Sequence, residues 1–370
     1  MELINCTRMA AGYTLGMEPS GRELLVVVVK GTFRLPAEQG ARLTLHEDQA
    51  PLVLSDVFFG EPGVSAPKYE VDFAPRKRRC DVLLHGHGYA PGGRPTERMA
   101  VELRIGDWSK SFSVVGDRAW YSSGGPRATA PAPFTRMPLS YDYAFGGVDS
   151  RHPDPARHAA FWPNPVGRGF HQHLAGKWLE GSPLPNTEES GAAILEPDGA
   201  YRPMSFGGLG RHWQPRSGFA GTYDQHWLDN VSPFLPADFD EAYYHAAPAD
   251  QQLPLPVGEQ NVLLQNLTAA GRSEFVLPHF EAPIYVLPKS GPREEFKAPL
   301  DTIMIEPDLE RVTLTWRVAR ALRKSLFEVR QVLVGRKGKE WWQQREEIVV
   351  PFPARIATRT RSPVTEELAR

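Results

Sequence analysis

Proline and glycine interrupt this chain so often that short strands and loops suit it better than long helices. The 370 residues contain 35 prolines and 33 glycines, whereas proline makes up about 5% of typical proteins. Proline lacks the backbone N–H that a helix interior needs, and glycine favours turns. The pattern therefore predicts a fold built from many short elements.

Strand patterns are dense in the first zone, residues 1–125. The segment RELLVVVVKGTFRLP, at 22–36, is a nearly continuous apolar run, which is typical of a strand buried on both faces. A second segment, 99–105, alternates apolar with other residues and is followed by Gly106, Asp107 and WSKSFSVVG. This spacing predicts a tight hairpin in which Gly106 supplies a positive φ.

Strand patterns return in the third zone, residues 261–350. Residues 312–318 alternate between apolar and polar side chains, which is the clearest strand signal in the chain. Segment 320–334 is ambiguous because its apolar residues also fit a helical stripe. A strand over 327–334 is favoured, and a helix stays open. Residues 351–370 have few apolar anchors, which predicts a mobile tail.

The middle zone, residues 126–260, has no clear periodicity. It contains 18 of the 35 prolines, and its tryptophans and other aromatic residues lie beside glycine and proline. Disordered segments are poor in aromatic residues. We therefore expect an ordered but irregular insertion, with short helices near 157–162 and 239–245.

These zones together predict a mainly β fold. Strands of the first and third zones are expected to share mainly antiparallel sheets, arranged as a sandwich or as barrel-like sheets. The irregular Pro-, Gly- and aromatic-rich insertion and a few short helices complete the expected architecture. Because no flexible linker separates the zones, residues 1–350 are expected to form a single compact unit.

Composition narrows the class of partner. The formal net charge is −2, so no global field attracts nucleic acid or anionic lipid. The longest aliphatic run, Leu24–Val29, is far shorter than the ~20 residues of a membrane helix. Two cysteines are too few for a disulfide-stapled scaffold, and the N-terminal segment lacks a cleavable signal pattern. We expect a bacterial cytoplasmic protein without nucleic-acid or membrane partners.

Charge is unevenly distributed along the chain. Residues 126–260 contain 9 Lys and Arg against 15 Asp and Glu, a balance of −6. Residues 311–370 contain 14 against 6, a balance of +8. One interpretation is that the basic end lies on the acidic middle of the same molecule. The other is that two surfaces of opposite charge serve two partners.

The stretch CDVLLHGHGYAPGG, residues 80–93, raises the question of a metal site. On one continuous strand, His85 and His87 would share a face, with Cα atoms roughly 6–7 Å apart, and could chelate one ion. Asp81 would lie roughly 13 Å from His85 and could not join them. The carboxylate or histidine ligands that follow such a pair in cupin-type sites are absent, so no metal and no cofactor are expected.

No motif in the sequence assigns a catalytic residue. Nucleophile elbows, zinc-protease helices, Walker loops and calcium loops are all absent. His171 and His173 are expected on a loop surface, and the acidic cluster at 238–241 is expected to cap a helix. Aromatic rings beside exposed backbone could instead clasp a partner's extended segment. The candidate protein-binding residues are Trp162, Trp213, Trp227, Asp238 and Asp240.

Nine phrases, in order, resemble successive blocks of a bacterial family whose genes lie in type VI secretion clusters, beside VgrG and PAAR-like spike genes. The resemblance covers residues 1–350 and is carried by VVVVKGTFRL, DVLLHGHGYAPGG, KSFSVVGDRAW, MPLSYDYAFGG, NPVGRGF, LPNTE, AGTYDQHWL, PFLPADFDEAYYHAAPADQQL and IEPDLERVTLTWR. It implies a cytoplasmic adaptor or chaperone, not an enzyme, that holds a cognate effector or PAAR-like protein for loading on the VgrG spike. It transfers no catalytic residue and no small-molecule substrate.

Three hypotheses remain open from the sequence. The first is the loading adaptor, which would contact its partner through an exposed sheet edge and the aromatic middle zone. The second is a metal-dependent, cupin-like enzyme centred on His85 and His87. The third is a carbohydrate-binding or structural module, because tryptophan-rich β-sandwiches often bind sugars.

Overall fold

The computed structural model describes residues 1–346, which are built mainly from β-strands. The strands of the first zone end at residue 122. They are β1 (Glu2–Asn5), β2 (Ala10–Met17), β3 (Glu23–Arg34), β4 (Ala41–Arg42), β5 (Thr44–Leu45), β6 (Val57–Phe58), β7 (Pro67–Tyr69), β8 (Cys80–Leu84), β9 (His87–Tyr89), β10 (Arg98–Ile105), β11 (Trp108–Val115) and β12 (Trp120–Ser122).

Strands within residues 126–260 are two or three residues long, whereas those after 260 are longer. The short strands are β13 (Pro126–Ala128), β14 (Arg136–Pro138), β15 (Phe145–Gly146), β16 (Val148–Asp149), β17 (Ala159–Ala160), β18 (Arg168–Gly169), β19 (Thr187–Glu188) and β20 (Gln252–Leu253). The later strands are β21 (Asn261–Gln265), β22 (Arg272–Val276), β23 (Ala282–Pro288), β24 (Glu294–Ala298), β25 (Leu300–Glu306), β26 (Arg311–Ala321) and β27 (Val329–Val334).

Helices are few and short. The α-helices are α1 (Gly176–Leu179), α2 (Gln225–Asn230) and α3 (Lys339–Glu346). The 3-10 helices are Pro91–Gly93, Tyr141–Tyr143, Pro155–Arg157, Arg216–Ala220, Glu241–Tyr244, Ala249–Gln251, Pro307–Leu309 and Leu326–Glu328. A short helix was predicted near 239–245 and is present there. A short helix was also predicted near 157–162, where the structure has a 3-10 helix at Pro155–Arg157, with β17 after it.

Three large sheets organise the fold. A seven-stranded sheet has the order β2-β3-β26-β25-β8-β20, with β5 beside β3; a six-stranded sheet has the order β19-β11-β10-β21-β22-β4; a four-stranded sheet has the order β1-β27-β23-β24. Strands of the first and third zones lie together in all three sheets, as predicted. Most strand pairs in these sheets are antiparallel, as predicted, whereas β1–β27, β8–β25 and β4–β22 are parallel. None of the three sheets closes on itself.

Strand β3 explains why the chain needs its long valine run. Leu25, Val27 and Val29 face the main core, whereas Val26 and Val28 pack on the opposite face in a second apolar cluster. Side chains of all three large sheets contribute to the main core. The prediction of a strand buried on both faces is therefore confirmed.

Other local predictions follow the sequence pattern closely. Strands β10 and β11 form the predicted hairpin, in which Gly106 has a φ of 56°. Residues 312–318 lie in β26, which pairs with β3 over eleven residues. Of the two possibilities left open for 320–334, the strand is confirmed at β27, which follows a single 3-10 turn.

The chain divides into two units. Residues Met1–Gly335 form the first, and the second begins at Arg336, with α3 in its described part. The tail predicted for 351–370 lies outside the described residues. Within residues 1–346, no helix combines the length and the apolar character that a membrane crossing requires.

Candidate functional site

His85 and His87, the two candidate metal ligands, do not share a strand face. Strand β8 ends at Leu84 and β9 begins at His87, so the chain changes direction between the histidines. His85 is buried, and its Nε2 hydrogen-bonds the carbonyl oxygen of Lys68. Burial lowers the pKa of His85 to about 4. The ring therefore serves as a neutral hydrogen-bonding group in the interior.

His87 has a separate set of partners near the surface. Its Nδ1 lies 2.6 Å from Oδ2 of Asp308, and Arg136 Nη2 lies 3.2 Å from the same oxygen. The Tyr89 hydroxyl also donates to Asp308. Within residues 1–346, no group of three or more His, Cys, Asp or Glu side chains is placed to hold a metal ion.

Asp81 was predicted to lie too far from His85 to bind the same metal ion. It has other partners. Its carboxylate accepts hydrogen bonds from Lys77 Nζ at 2.7 Å, His245 Nδ1 at 2.7 Å and the Ala246 N–H at 2.9 Å. Burial alone would raise its pKa, but the Lys77 ammonium and the His245 hydrogen bond outweigh burial and hold the pKa at about 2. Asp81 therefore anchors the end of the insertion to β8.

A cavity of about 440 Å³ lies above the outer face of the seven-stranded sheet, beneath residues 50–57 and 69–72. Its buried cations are matched by carboxylates. Lys30 Nζ lies 2.9 Å from Asp72, and Arg317 Nη1 lies 2.6 Å from Asp301. These ion pairs hold the segment above the cavity on the sheet. Because each of the two cations has its counter-ion, neither offers an unpaired charge to an ionic ligand.

Buried polar side chains also hold the insertion together. Asn164 donates from Nδ2 to the carbonyl oxygens of Tyr141 at 2.9 Å and Phe145 at 3.0 Å. Arg216 donates to the Leu209 carbonyl at 2.7 Å and pairs with Glu70. Because the insertion has little sheet, these side chains satisfy backbone groups that strands would otherwise pair.

The aromatic candidates fall into different environments. Trp213 is 1% exposed and packs edge-on against Tyr141 at a centroid distance of 5.6 Å, so its assignment to a binding surface is wrong. The burial of so large an apolar ring is more favourable than its exposure. Trp162, by contrast, is 54% exposed. Trp227 is half-buried on α2.

His171 and His173 were expected on a loop surface, but neither side chain is exposed. Both lie next to Asp149, which is 1% exposed. His173 Nδ1 is 2.9 Å from Asp149 Oδ2, and the same oxygen accepts the N–H of Gln172 at 3.0 Å. Burial lowers the pKa of His171. These contacts close a turn of the insertion.

An exposed apolar face surrounds α2. Tyr223 is 53% exposed, Leu228 57% and Phe234 46%. The Trp227 ring packs edge-on against Tyr223 at 4.7 Å, and its indole N–H donates to the Phe234 carbonyl at 2.9 Å. We call Tyr223, Trp227, Leu228 and Phe234 the α2 face. Apolar side chains grouped this way on a surface mark an interaction site more often than single ones do.

The backbone beneath the α2 face is fixed by capping. Asp224 accepts the N–H of Trp227 at 2.8 Å and caps α2. Asp238 accepts both the N–H and the hydroxyl of Thr222, at 3.0 and 2.7 Å. Sequence reasoning missed Tyr223, Leu228 and Phe234, although Asp224 is a preferred N-cap residue and could have located the helix.

An open groove of about 580 Å³ begins next to the α2 face. The two are joined at Gly21, where a Cβ would lie 2.8 Å from the Phe234 ring. Asp240 caps the 3-10 helix that follows, by accepting the Ala242 N–H at 2.9 Å. The charged residues that line the groove are Glu18, Arg76, Arg78, Asp238, Asp240 and Glu241. The predicted residues Trp227, Asp238 and Asp240 thus lie on one continuous surface.

The charge of this acidic groove is only partly neutralised. Arg76 lies 3.5 Å from Glu18 and 3.6 Å from Glu241, and Arg78 lies 2.8 Å from Glu241. Within residues 1–346, Asp238 and Asp240 accept hydrogen bonds from backbone N–H groups and a hydroxyl, without a cationic partner. The groove therefore suits a basic side chain of a ligand.

Three arginines of the basic end pair with carboxylates outside this groove. Arg317 pairs with Asp301, and Arg320 Nη2 lies 2.7 Å from Glu294. Arg311 pairs with Glu306 at 2.7 Å. The interpretation in which residues from 311 onward neutralise the acidic middle zone is wrong for these three arginines, since their partners belong to the third zone.

Fold and surface together define a class of protein. It is a mainly β protein whose irregular insertion displays an apolar face beside an acidic groove. The family described as "Uncharacterized protein conserved in bacteria (DUF2169)" matches residues 20–317, and the chain belongs to this family. Neither a search of curated proteins nor a search of solved structures found a match.

Proposed function

We propose that this protein is an adaptor or chaperone of bacterial type VI secretion. It binds a cognate effector or PAAR-like protein in the cytoplasm and helps to load it on the VgrG spike. The order of nine sequence blocks supports the assignment to secretion, and the family match supports a bacterial protein. The proposal assigns no catalytic residue, cofactor or small-molecule substrate.

The α2 face is the observation that carries the proposal. It places tyrosine, tryptophan and leucine side chains together on a surface, and tyrosine and tryptophan dominate the binding energy of many interfaces. Asp224 and Asp238 hold the backbone beneath it. A face that is ordered before binding loses less conformational entropy when a partner arrives. These features suit a protein whose task is to hold another protein.

Copurification tests the proposal directly. The protein is coexpressed with the effector, PAAR-like protein and VgrG encoded in its own gene cluster, and affinity-purified. We expect a stoichiometric complex with at least one of them. Leu228→Asp places a charge in the apolar face and should weaken the complex by at least about tenfold, or ~1.4 kcal/mol.

Phe327→Asp is the matched control, because Phe327 is an equally apolar side chain, 80% exposed, on another element. It should leave the complex unchanged. A wild-type protein that copurifies with none of the three neighbours would refute the adaptor function. Equal weakening by both substitutions would refute the α2 face as the contact.

The metal-dependent enzyme centred on His85 and His87 is the alternative function. The separate partners of the two rings, Lys68 for His85 and Asp308 for His87, do not favour it. Elemental analysis of protein purified without a histidine tag tests it. A stoichiometric transition metal that is lost in His87→Ala would revive this alternative.

A further inference from the structure

Strand β2 forms one edge of the seven-stranded sheet, and it lacks the usual protection of an edge. Its sequence, AAGYTLGM, has eight residues without a charge or a proline. Natural proteins shield long edge strands with charges, prolines or very short strands, because unpaired backbone groups recruit further strands. An unprotected edge of this length is therefore a site for strand addition.

The other edges of the three large sheets are shielded. Strands β4, β19 and β20 have two residues each. Strand β1 has four residues and begins with Glu2, and β24 reads EEFKA, with three charges in five residues. The contrast singles out β2 among the edges of the three large sheets.

The register shows which backbone groups of β2 point outward. The Glu18 N–H donates to the Arg22 carbonyl at 2.9 Å, so this pair is hydrogen-bonded across the β2–β3 hairpin. Hydrogen-bonded and non-hydrogen-bonded pairs alternate in antiparallel strands. The N–H and C=O groups of four residues therefore face away from β3. These residues are Ala11, Tyr13, Leu15 and Met17.

Within residues 1–346, this outward row accepts one hydrogen bond, from the Thr14 hydroxyl to the Leu15 carbonyl oxygen at 3.5 Å. The side chains of the same residues lie on the core side of the sheet, where Tyr13 is 37% and Leu15 46% exposed. An added strand would thus gain backbone hydrogen bonds and would cover two apolar side chains at the margin of the core.

The C-terminal end of β2 leads directly into the acidic groove. Met17 is followed by Glu18, which lines the groove together with Asp238 and Asp240. Gly21, in the same turn, contacts Phe234 of the α2 face. The free edge, the groove and the α2 face are therefore continuous, and the two carboxylates without a cationic partner lie at the end of the edge.

We infer that β2 binds an extended segment of the partner protein as an additional strand. The segment has about eight residues, apolar side chains at alternate positions that cover Tyr13 and Leu15, and a lysine or arginine at the end next to Met17 that reaches Asp238 and Asp240. This inference rests on the proposed function for the existence of the partner and names the chemistry that recognises it.

Leu15→Pro tests the outward backbone row. It removes an N–H that forms no hydrogen bond in the free protein, and proline is tolerated on edge strands, so β2–β3 pairing is retained. Leu15→Val keeps the N–H and is the matched control. If Leu15→Pro does not fold, Tyr13→Pro replaces it, since Tyr13 belongs to the same row.

The probe is a synthetic peptide obtained by selecting a phage-displayed 12-residue random library on the wild-type protein. Selected peptides should carry apolar residues at alternate positions and a lysine or arginine at one end. In fluorescence anisotropy, Leu15→Pro should weaken binding at least about tenfold, and Leu15→Val by less than about threefold. The Asp238→Asn, Asp240→Asn double variant should weaken binding and reduce its salt dependence.

Two N-methylated versions of the peptide, each modified at one set of alternate residues, test strand geometry without any change in the protein. One set should abolish binding and the other should be tolerated, because only alternate N–H groups face β2. Equal effects of the two sets, equal affinity for Leu15→Pro, or a selection without enriched peptides would overturn the inference.

A second copy of this chain is the competing occupant. Sedimentation equilibrium that shows a dimer, lost in Leu15→Pro, would assign the edge to self-association and overturn the inference. Failure of the adaptor function is distinguishable, because it appears as no copurification with the genetic neighbours while peptide binding to β2 persists. Copurification that survives Leu15→Pro undiminished would refute β2 alone.

Discussion

Two regions of the molecule satisfy their buried backbone groups in different ways. The first is the framework, residues 1–125 and 261–335. The second is the insertion, residues 126–260. Both must satisfy buried backbone groups. In the framework, β3 and β26 pair over eleven residues. In the insertion, strands have at most three residues, and side chains such as Asn164 and Arg216 bind carbonyl groups instead.

The two regions differ in how the sequence specifies their structure and in what they present at the surface. A sheet ladder is specified by a repeating apolar pattern and tolerates many individual side chains. An irregular chain depends on particular side chains at particular positions, because each one completes a hydrogen bond that no neighbouring strand can supply. The insertion can therefore present the α2 face at a fixed place, at the cost of greater sensitivity to single substitutions.

The largest expected effect is the loss of the insertion's buried indole. Trp213→Ala should reduce the free energy of unfolding by about 4 kcal/mol, because large buried rings leave cavities that the surroundings fill only partly. Urea unfolding measured by circular dichroism checks the value. The effect arises from the cluster of Trp213 with Tyr141, Ala144, Leu209 and Ala66.

Trp162→Ala is the control for Trp213→Ala, since it removes the same side chain from a site that is 54% exposed. It should change the free energy of unfolding by no more than about 0.5 kcal/mol. Similar losses for both variants would show that the insertion does not distinguish its buried from its exposed tryptophans, and would contradict the packing described.

The framework was predictable from the sequence, whereas most of the insertion was not. The valine run of β3 and the alternation in β26 are local signals that the final structure preserves. Nothing local indicates that Asp81 bonds His245, 164 residues away. Such polar pairs arise only when the tertiary fold brings distant segments together, so a single sequence does not reveal them.

The candidate site shows the same division. Trp227, Asp238 and Asp240 were predicted and lie on one surface, because aromatic and acidic residues cluster locally in the chain. Trp213 carried the same signal but is core, since composition does not state which ring is buried. The outward backbone row of β2 was invisible because it depends on the register with β3.

The junction between framework and insertion is expected to show an intermediate effect. Asp81→Asn leaves the Lys77 ammonium, 6% exposed, without its counter-ion and weakens the contact with His245. We expect a loss of about 3 kcal/mol, the lower end of the range for breaking a buried ion pair. Unfolding in urea gives the total, and hydrogen exchange gives its location.

Residues 245–251 should lose amide protection in Asp81→Asn before β25 and β26 do, because His245, Ala246 and Gln251 bind β8. Asp229→Asn changes an exposed carboxylate on α2 and should alter stability by less than about 0.5 kcal/mol. A uniform loss of protection across the framework would contradict the role of Asp81 as a local anchor.

The smallest expected effect is a pH dependence of the free energy of unfolding, and it arises from His85 in the framework. The pKa of His85 is lowered to about 4 by burial, whereas an unfolded histidine has a pKa of about 6.5. Between these values the unfolded chain binds a proton that the folded chain excludes, so stability falls as the pH falls from 6.5 toward 4. The loss between pH 7 and pH 5 should be about 2 kcal/mol.

His85→Gln separates this contribution from that of the other histidines. Its side-chain N–H can still donate to the Lys68 carbonyl, but it binds no proton in this pH range, so the decline between pH 7 and pH 5 should be about 2 kcal/mol smaller than in the wild type. Urea unfolding of both proteins at the two pH values measures the difference. An identical decline in both would mean that His85 becomes protonated in the folded protein as easily as in the unfolded chain, which its buried place among Phe59, Tyr69 and Lys68 argues against.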